Sequence, residues 1–289
     1  MYENDFANPD LHMHSRLSDG TDSPEDLLAL VRDAGIGMFA LTDHDCYLGC
    51  DRISSIRKPS DPIFLSGIEF SCRDADGKYH VLGYGFDTKK ESIRRAADIT
   101  HNARLAKLQG RLDDIQRRYG FEFDENDYAE LRSLKNPGKP HIAAKMIAHG
   151  YAKDVPHAFS LMEGYRSTER YLSPLEAIDA ILQADGIPVL AHGPLGDGGQ
   201  DLSDEEIERR VLMMKECGLM GLECYYSGFT ARQTGLMLAL ADKYNLFSTA
   251  GSDYHGTAKS VRLGDTGERP DPERMMRFYR AAALMGKIG

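Results

Sequence analysis

Short apolar segments alternate with longer amphipathic segments along most of the chain. The pattern predicts seven buried strands, at 10–14, 37–42, 63–70, 79–86, 187–192, 219–225 and 246–251. Several of them are almost continuously apolar, such as 37–41 and 187–191. Continuous apolar strands are typical of a parallel sheet that is covered on both faces.

The segments between the strands carry helix start and stop signals. Ser23-Pro24 predicts a helix with Ser at the N-cap and Pro at its first position, and Gly35 marks its end. Ser173 and Glu176 have the spacing of a capping box. Each of these helices leads directly into a strand, so the alternation predicts an α/β barrel or an open α/β sheet.

One long segment breaks this alternation. Residues 91–170 carry helical patterns, with a charged amphipathic stretch at 91–118 and a second helix at 140–149. We therefore predict a helical insertion at 91–170 between the fourth and fifth strands. Residues 1–90 and 171–289 would form the barrel.

Histidine and carboxylate residues gather at the predicted strand ends. His12 and His14 alternate on the first strand, so both imidazoles face the same side and can reach one metal ion. The carboxyl ends of barrel strands converge on one face, where active sites lie. The candidate ligands at that face are His12, His14, Asp19, His44, Glu69, His80, His192, Asp253 and His255.

Nine such groups are more than one metal ion requires. A catalytic zinc uses about three protein ligands and a water. Carboxylates can bridge ions, so six imidazoles and three carboxylates fit two or three divalent ions. Mixed imidazole and carboxylate ligands favour Mn, Fe or Zn over Ca or Mg.

Charge and hydropathy argue against duplex-DNA binding and against a membrane protein. The 289 residues include 45 Asp and Glu against 35 Lys and Arg, a formal net charge of −10. Stable binding to duplex DNA needs a basic surface, so we do not expect it. No apolar run is long enough to cross a membrane, and the acidic N-terminal residues lack the apolar core of a secretory signal. We expect a cytoplasmic protein without a membrane partner.

Basic residues are candidates for binding an anionic substrate. Lys139-Pro140-His141 opens a predicted helix, where an ammonium, an imidazole and unpaired backbone N–H groups can bind phosphate. An ordinary helix start without a ligand explains the same residues equally well. Arg16 and Arg262 are further candidates, since basic residues near the rim of the site would favour a phosphate substrate.

The order of these motifs resembles the PHP (polymerase and histidinol phosphatase) family, in particular its metal-dependent phosphoesterases of nucleotides and small phosphate esters. The matching motifs are Asp10–Ser15, Ser18–Gly20, Thr42–Asp45, Gly67–Glu69, His80, Ala191–His192 and Gly251–His255. The resemblance implies a distorted (β/α)7 barrel with three metal ions. Gly193 departs from the Pro that many members have after this histidine.

The resemblance also implies a ligand set for each ion. The first ion would be held by His12, His14, Glu69 and Asp253, the second by Glu69, His80 and His192, and the third by Asp19, His44 and His255. Glu69 would bridge the first two ions. Glu69, His192 and His255 would be the catalytic residues, with a histidine assisting the leaving oxygen.

The implied activity is a hydrolase of phosphoric esters that uses a hydroxide bridging two metals. Its substrates would be nucleotides or related small molecules, such as AMP-like or 3′,5′-bisphosphate compounds, with the insertion as a substrate cap. One alternative is a phosphodiesterase acting on small cyclic phosphates or oligonucleotide ends. An alternative from another class is an amidohydrolase-type C–N hydrolase, which the metal ligands alone do not exclude.

Overall fold

The computed structural model describes residues 8–196 and 202–284. The strands, β1 to β7 in chain order, are Pro9–Asp10, Met38–Leu41, Ile63–Asp74, Gly77–Tyr84, Ile187–Leu190, Gly221–Tyr226 and Phe247–Gly251. The helices, α1 to α10, are Pro24–Asp33, Leu48–Ile56, Glu91–Tyr119, Glu125–Ser133, Lys139–Ala148, Val155–Leu161, Pro174–Gln183, Asp204–Glu216, Ala231–Tyr244 and Pro272–Leu284. None of the helices within these described ranges has the length and apolar character of a membrane span.

The seven strands form a barrel in which spatial order follows chain order, from β1 to β7. The first strand meets the last through the backbone, because the Leu11 N–H donates to the Ala250 carbonyl at 2.8 Å. Met13 then forms a parallel bridge with Tyr254. The expected seven-stranded (β/α) barrel is therefore confirmed.

The strand β4 is antiparallel to both of its neighbours, β3 and β5. An all-parallel sheet was the expectation, and it is wrong at this strand. Asp74 pairs with Gly77 across a two-residue turn, and strands joined by so short a turn can only be antiparallel. The start of β4 therefore lies beside the end of β3, with His80 paired to Ser71.

The strand β1 is shorter than predicted and ends before the two histidines of the first motif. Its continuation uses loop partners instead of a regular ladder. The Met13 N–H donates to the Thr42 hydroxyl at 3.2 Å, and the His14 N–H donates to the Tyr254 carbonyl at 2.8 Å. His12 and His14 are thus fixed by the segments that follow β2 and β7.

Local signals set the helix starts as predicted. The Ser23 hydroxyl accepts from the Asp26 N–H at the start of α1, and the Asp26 carboxylate accepts from the Ser23 backbone in return. Ser173 and Glu176 form the predicted capping box at the start of α7. These reciprocal bonds satisfy N–H groups that a helix start leaves unpaired.

The described residues divide into two compact units, one formed by the chain up to Ala97 and from Leu172 onward, the other by Asp98–Tyr171. In the first unit, an apolar core formed largely by α1, β2, α2 and β3 includes Leu27, Phe39 and Phe64. In the second, hereafter the helical unit, an apolar core formed largely by α3, α5 and α6 includes Leu112, Ile142 and Met162.

Candidate metal centre

The carboxylate of Glu69 lies at the centre of the predicted site. Glu69 is on β3 and is almost fully buried. Its Oε2 atom lies 3.2 Å from His12 Nε2, 3.2 Å from His14 Nε2 and 3.1 Å from His44 Nδ1. Three imidazoles from two separate segments therefore converge on a single carboxylate oxygen.

The other oxygen of Glu69 faces a second pair of imidazoles. Its Oε1 atom lies 2.8 Å from His80 Nδ1 and 3.1 Å from His192 Nε2. His80 reaches this position because β4 is antiparallel, which brings its first residues to the end of the barrel where β5 finishes. The two oxygens of Glu69 thus face two different groups of imidazoles.

Asp253 and Asp19 supply the remaining carboxylates. Asp253 follows β7, and its Oδ1 atom lies 3.5 Å from His12 Nε2 and 3.2 Å from His14 Nε2. Asp19 Oδ1 lies 3.3 Å from His255 Nε2. All nine predicted ligands are therefore brought to one end of the barrel.

Three groups of side chains within the described residues have ligand atoms close enough to share one ion. They are His14, Asp19, His44 and His255; His12, His14 and Asp253; and His44, Glu69 and His80. The grouping differs in detail from the implied one, since His14 and His44 each stand in two groups.

Several ligand atoms are buried without a hydrogen-bond partner of good geometry. Among the described residues these include His12 Nε2, His14 Nε2, His44 Nδ1 and Glu69 Oε2. Buried polar atoms normally find partners, so four unpaired atoms directed at the same region indicate a missing ligand. Imidazole nitrogens together with carboxylate oxygens are suited to a divalent transition metal. The cluster can therefore hold divalent metal ions.

The imidazoles and carboxylates of the cluster shift one another's pKa values. Burial lowers the pKa of His14, but the carboxylates of Asp253 and Glu69, each with an oxygen 3.2 Å from its Nε2 atom, outweigh burial and raise this pKa to about 9. Burial acts to raise the pKa of Glu69, yet the imidazoles of His44 and His12 hold it well below its ordinary value. Protons on His12 and His14 thus offset part of the carboxylate charge, and metal ions would displace those protons on binding.

This barrel with its ligand cluster can be compared with known proteins. The model of the PHP domain family matches residues 10–167, more than half of the chain. The chain belongs to the PHP domain family. The resemblance inferred from the motifs is confirmed, as is the phosphoesterase class expected from it.

Curated relatives cover almost the whole PHP chain. A 3′,5′-nucleoside bisphosphate phosphatase of Chromobacterium violaceum is 27% identical over 279 residues, spanning 92% of this chain and 93% of its own. A phosphoribosyl 1,2-cyclic phosphate 1,2-diphosphodiesterase of Eggerthella lenta is 29% identical over 255 residues, spanning 86% and 94%. A solved structure from Bifidobacterium adolescentis, assigned as a metal-dependent phosphoesterase, has a TM-score of 0.74 at 28% identity and covers 93% of this chain and 94% of its own.

Glu223 holds two of the candidate ligands, His12 and His192, in position, and it was left out of the predicted ligand set. It is fully buried on β6, and its Oε1 atom lies 2.9 Å from His12 Nδ1. Its Oε2 atom accepts from the His192 N–H at 2.8 Å. Because His12 Nδ1 is held in this way, His12 Nε2 faces Glu69. The same carboxylate anchors His192, which has a left-handed backbone with φ of 27°.

Two further buried carboxylates hold the ligand-bearing loops. Asp43 accepts from the Ser15 N–H at 2.8 Å, from the Ser15 hydroxyl at 2.7 Å and from the Ser18 hydroxyl at 2.6 Å. Asp10 accepts from the Ser252 N–H at 2.9 Å and from its hydroxyl at 2.6 Å. Through their hydrogen bonds to Asp43, Ser15 and Ser18 hold the loop between His14 and Asp19 in place.

The PHP centre opens into a cavity of about 460 Å³ within the barrel unit. His44, Glu69, His80, His192 and Asp253 contribute to its wall. The other described residues that line it are Lys78, Tyr79, Leu195, Gly196, Tyr226 and Lys259. The sequence analysis missed the two lysines and both tyrosines of this wall.

Tyr226 and Lys259, which the sequence analysis missed, both contact the Oδ2 atom of Asp253. Tyr226 donates its hydroxyl to Asp253 Oδ2 at 2.8 Å, and Lys259 Nζ lies 2.7 Å from the same atom. Asp253 Oδ1 is thereby left to face the histidines. Tyr226 ends β6, and its position at a strand end was the available signal, whereas Lys259 lies in an irregular segment that carries no such signal.

The four predicted substrate-binding residues are divided between the two units. Arg16 and Arg262 are exposed and are not among the described residues that line the cavity. Lys139 and His141 belong to the helical unit. There Lys139 Nζ lies 5.7 Å from the centre of the Phe159 ring, and His141 Nδ1 accepts from the Gly138 N–H at 3.1 Å. The His141 side chain thus caps its own helix, α5.

Proposed function

We propose that this PHP phosphoesterase hydrolyses phosphate esters of nucleotides, such as AMP-like or 3′,5′-bisphosphate compounds. The observation that carries the proposal is the position of Glu69, in contact with five imidazoles at the wall of a 460 Å³ cavity that also carries two lysines. Small-molecule sites typically have volumes of about 300–1,000 Å³. The similarity to a nucleoside bisphosphate phosphatase over most of both chains supports the same substrate class.

The proposed centre holds two or three divalent ions, Mn, Fe or Zn, through the nine predicted ligands. When bound, such ions activate water as a nucleophile and neutralise charge on the phosphoryl group. Glu69 supports a bridging role because its two oxygens face separate sets of imidazoles, at 2.8 to 3.2 Å. Elemental analysis of protein purified without chelator measures the stoichiometry, and one ion or fewer after metal is added back would contradict this part.

His192 is the better placed of the two histidines proposed to assist the leaving oxygen. It contributes to the cavity wall, whereas His255 is not among the described residues that line the cavity. In His255, by contrast, Nδ1 lies 2.8 Å from the Asp253 carbonyl and Nε2 lies 3.3 Å from Asp19, so both ring nitrogens are engaged. We propose that His255 serves as a ligand and that His192 lies on the leaving-group side.

A substrate with a second anionic group needs cations beyond the metal ions, because the chain has a net charge of −10. Lys78 and Lys259 in the cavity wall are the candidates within the barrel. Lys139 and His141, with Arg16 and Arg262, stay predictions as substrate contacts. For Lys139→Ala and His141→Ala, the ratio of kcat/KM for a nucleoside bisphosphate to that for p-nitrophenyl phosphate should fall. An unchanged ratio in both variants would leave these two residues as an ordinary helix start.

A second candidate activity is the opening of a small cyclic phosphodiester. The similarity to the cyclic phosphate diphosphodiesterase, at 29% identity over 94% of that chain, favours it. The same cluster could serve both reactions, since a diester and a monoester present similar non-bridging oxygens.

One experiment separates these possibilities. The products of hydrolysis, inorganic phosphate from a monoester and a phosphomonoester from a diester, are measured for nucleoside monophosphates, 3′,5′-bisphosphates, cyclic phosphates and short oligonucleotides, each with added Mn, Fe or Zn. We expect the highest kcat/KM for a mononucleotide carrying one or two phosphates. Preference for a cyclic ester would establish the second candidate, whereas hydrolysis of amides without any phosphate release would overturn the phosphoesterase proposal.

A further inference from the structure

The helical unit contains a buried guanidinium group that lacks a carboxylate partner. Arg111 lies on α3 with only 6% of its surface exposed. Among the described residues, its Nε atom has no hydrogen-bond partner, and the centre of the Tyr165 ring lies 5.4 Å from the guanidinium carbon. Asp114, three positions further along the helix, is instead paired with Arg117 and Arg118.

Such an arrangement is costly for the protein in the absence of an anion. Removing a cation from water is unfavourable unless an opposite charge or several hydrogen bonds compensate it. Burial accordingly lowers the pKa of Arg111, and only the ring hydroxyls of Tyr165 and Tyr171 act against it. Groups that are kept at such a cost are frequently functional.

The surrounding sequence has an unusual charge for this chain. Residues 99–112 contain no Asp or Glu but include Arg104, Lys107 and Arg111, although acidic residues are in excess overall. Lys107 and Arg111 are four positions apart and therefore share one face of α3. Lys107 Nζ also lies 5.4 Å from the centre of an aromatic ring, that of Tyr171. Two cations on one helix face are each placed beside a tyrosine.

The position of Tyr165 depends on a close approach to the helix. A Cβ atom added at Gly110 would collide with the Tyr165 hydroxyl, so the absence of a side chain there lets the tyrosine lie against α3. A guanidinium that lies against an aromatic ring keeps the N–H groups along its edge for a second partner. Those N–H groups match two oxygens of a phosphate in a bidentate contact.

We propose that Arg111, together with Lys107 and the ring of Tyr165, forms a phosphate-binding site in the helical unit. Its ligand would be the phosphate of a nucleotide, either as a mononucleotide or as part of an oligonucleotide. Two neighbouring cations favour a phosphate dianion over a single carboxylate. The site does not require hydrolysis in the barrel, so it can be tested in the full chain after metal is removed with a chelator.

The test is a thermal unfolding titration of the metal-free full chain with inorganic phosphate, AMP or a tetraribonucleotide. A ligand that binds only the folded state raises the unfolding midpoint, and the stabilisation grows with the logarithm of its concentration once that exceeds its Kd. We expect Arg111→Met to weaken the apparent affinity for phosphate about tenfold or more. Arg117→Met is the matched control on the same helix, since its side chain is 76% exposed, and it should bind as the wild type does.

A further control separates this site from the barrel. Lys259 is a candidate phosphate contact in the barrel, so phosphate binding by the metal-free chain that is lost in Lys259→Met and kept in Arg111→Met would place the anion in the barrel and overturn the proposal. Without added anion, Arg111→Met should unfold at or above the wild-type midpoint, because it removes an uncompensated buried charge. A marked fall in that midpoint would mean a structural role and would overturn the proposal. Should that variant not fold, Arg111→Lys provides the measurement, with weakened phosphate binding again expected.

The anion series completes the test. A larger rise with AMP identifies a mononucleotide as the ligand, and a larger rise with the tetraribonucleotide identifies an oligonucleotide, and either result supports the site. Equal protection by acetate at the same ionic strength would overturn the assignment to phosphate. No rise in the wild type, or the same rise in Arg111→Met, would overturn the site itself. Neither of these results would bear on hydrolysis in the barrel.

Discussion

The carboxylate of Glu223 offers a sharp test of how the metal centre is built. It accepts one hydrogen bond from the His12 ring and one from the His192 backbone, at 2.9 and 2.8 Å. Glu223→Gln keeps the size of the side chain but leaves one acceptor oxygen in place of two. In the variant, either His12 Nδ1–H or the His192 N–H must therefore face an amide that is itself a donor.

The size of the effect follows from these two bonds. A hydrogen bond to a charged group contributes about 1.5–3 kcal/mol, which corresponds to a factor of about 10–150 in an equilibrium constant. Outer partners of metal-bound histidines typically change metal affinity by about 10–100-fold. We therefore expect Glu223→Gln to weaken the binding of at least one metal ion by about 10–100-fold.

A competition titration against a chelator of known affinity measures this directly, with far-UV circular dichroism as a check of the fold. Glu273→Gln on α10 is the matched control because Glu273 is exposed, and it should bind metal like the wild type. Unchanged metal affinity in Glu223→Gln would refute the positioning role. A metal-free variant that no longer folds would refute it as well, since the residue would then be required by the fold itself.

Three further substitutions test other parts of the molecule. Glu69→Gln should lower kcat by on the order of 100-fold or more while the metal-free fold is kept, and near wild-type kcat would contradict the bridging role. Lys259→Met should raise KM for a nucleoside bisphosphate about tenfold relative to p-nitrophenyl phosphate, and parallel changes for both substrates would exclude a contact to the second phosphate. Hydrogen bonds from two neighbouring arginines lower the pKa of Glu206 to about 2, so its stabilisation is present above pH 4.5 and is lost as the pH falls towards 2. Because exposed ion pairs contribute little, the free energy of unfolding of Glu206→Gln should be only about 0.5–1 kcal/mol below that of the wild type at pH 7. At pH 2 the two free energies of unfolding should be equal. The same loss at both pH values would contradict an origin in the Glu206 ion pairs.

The gathering of the nine candidate ligands at one end of the barrel was predictable because its signals are local. A polar motif at the end of an apolar strand, as at Glu69, identifies a residue on the active face once a barrel is assumed. The helix starts were equally accessible, since Ser23 and Ser173 form their caps with residues three positions away. Each of these features depends on neighbours in the sequence.

What the sequence analysis missed depends on contacts between distant segments. The direction of β4 is set by a two-residue turn after Asp74, and the apolar pattern of a strand is the same in either direction. Lys259 reaches Asp253 only through the loop that follows β7, and Glu223 reaches His12 across 211 positions. Such pairs have no periodic signal, because they arise only when the barrel has closed.

The closure between β1 and β7 has a consequence for how the enzyme is made. His12 and His14 leave the ribosome about 240 positions before Asp253, their shared carboxylate partner. Long-range contacts of this kind form slowly because a large loop must close first. The complete centre therefore cannot exist on a nascent chain until β7 has emerged. Metal loading is thus a late step of biosynthesis, and an ion captured earlier could be held only by an incomplete set of ligands.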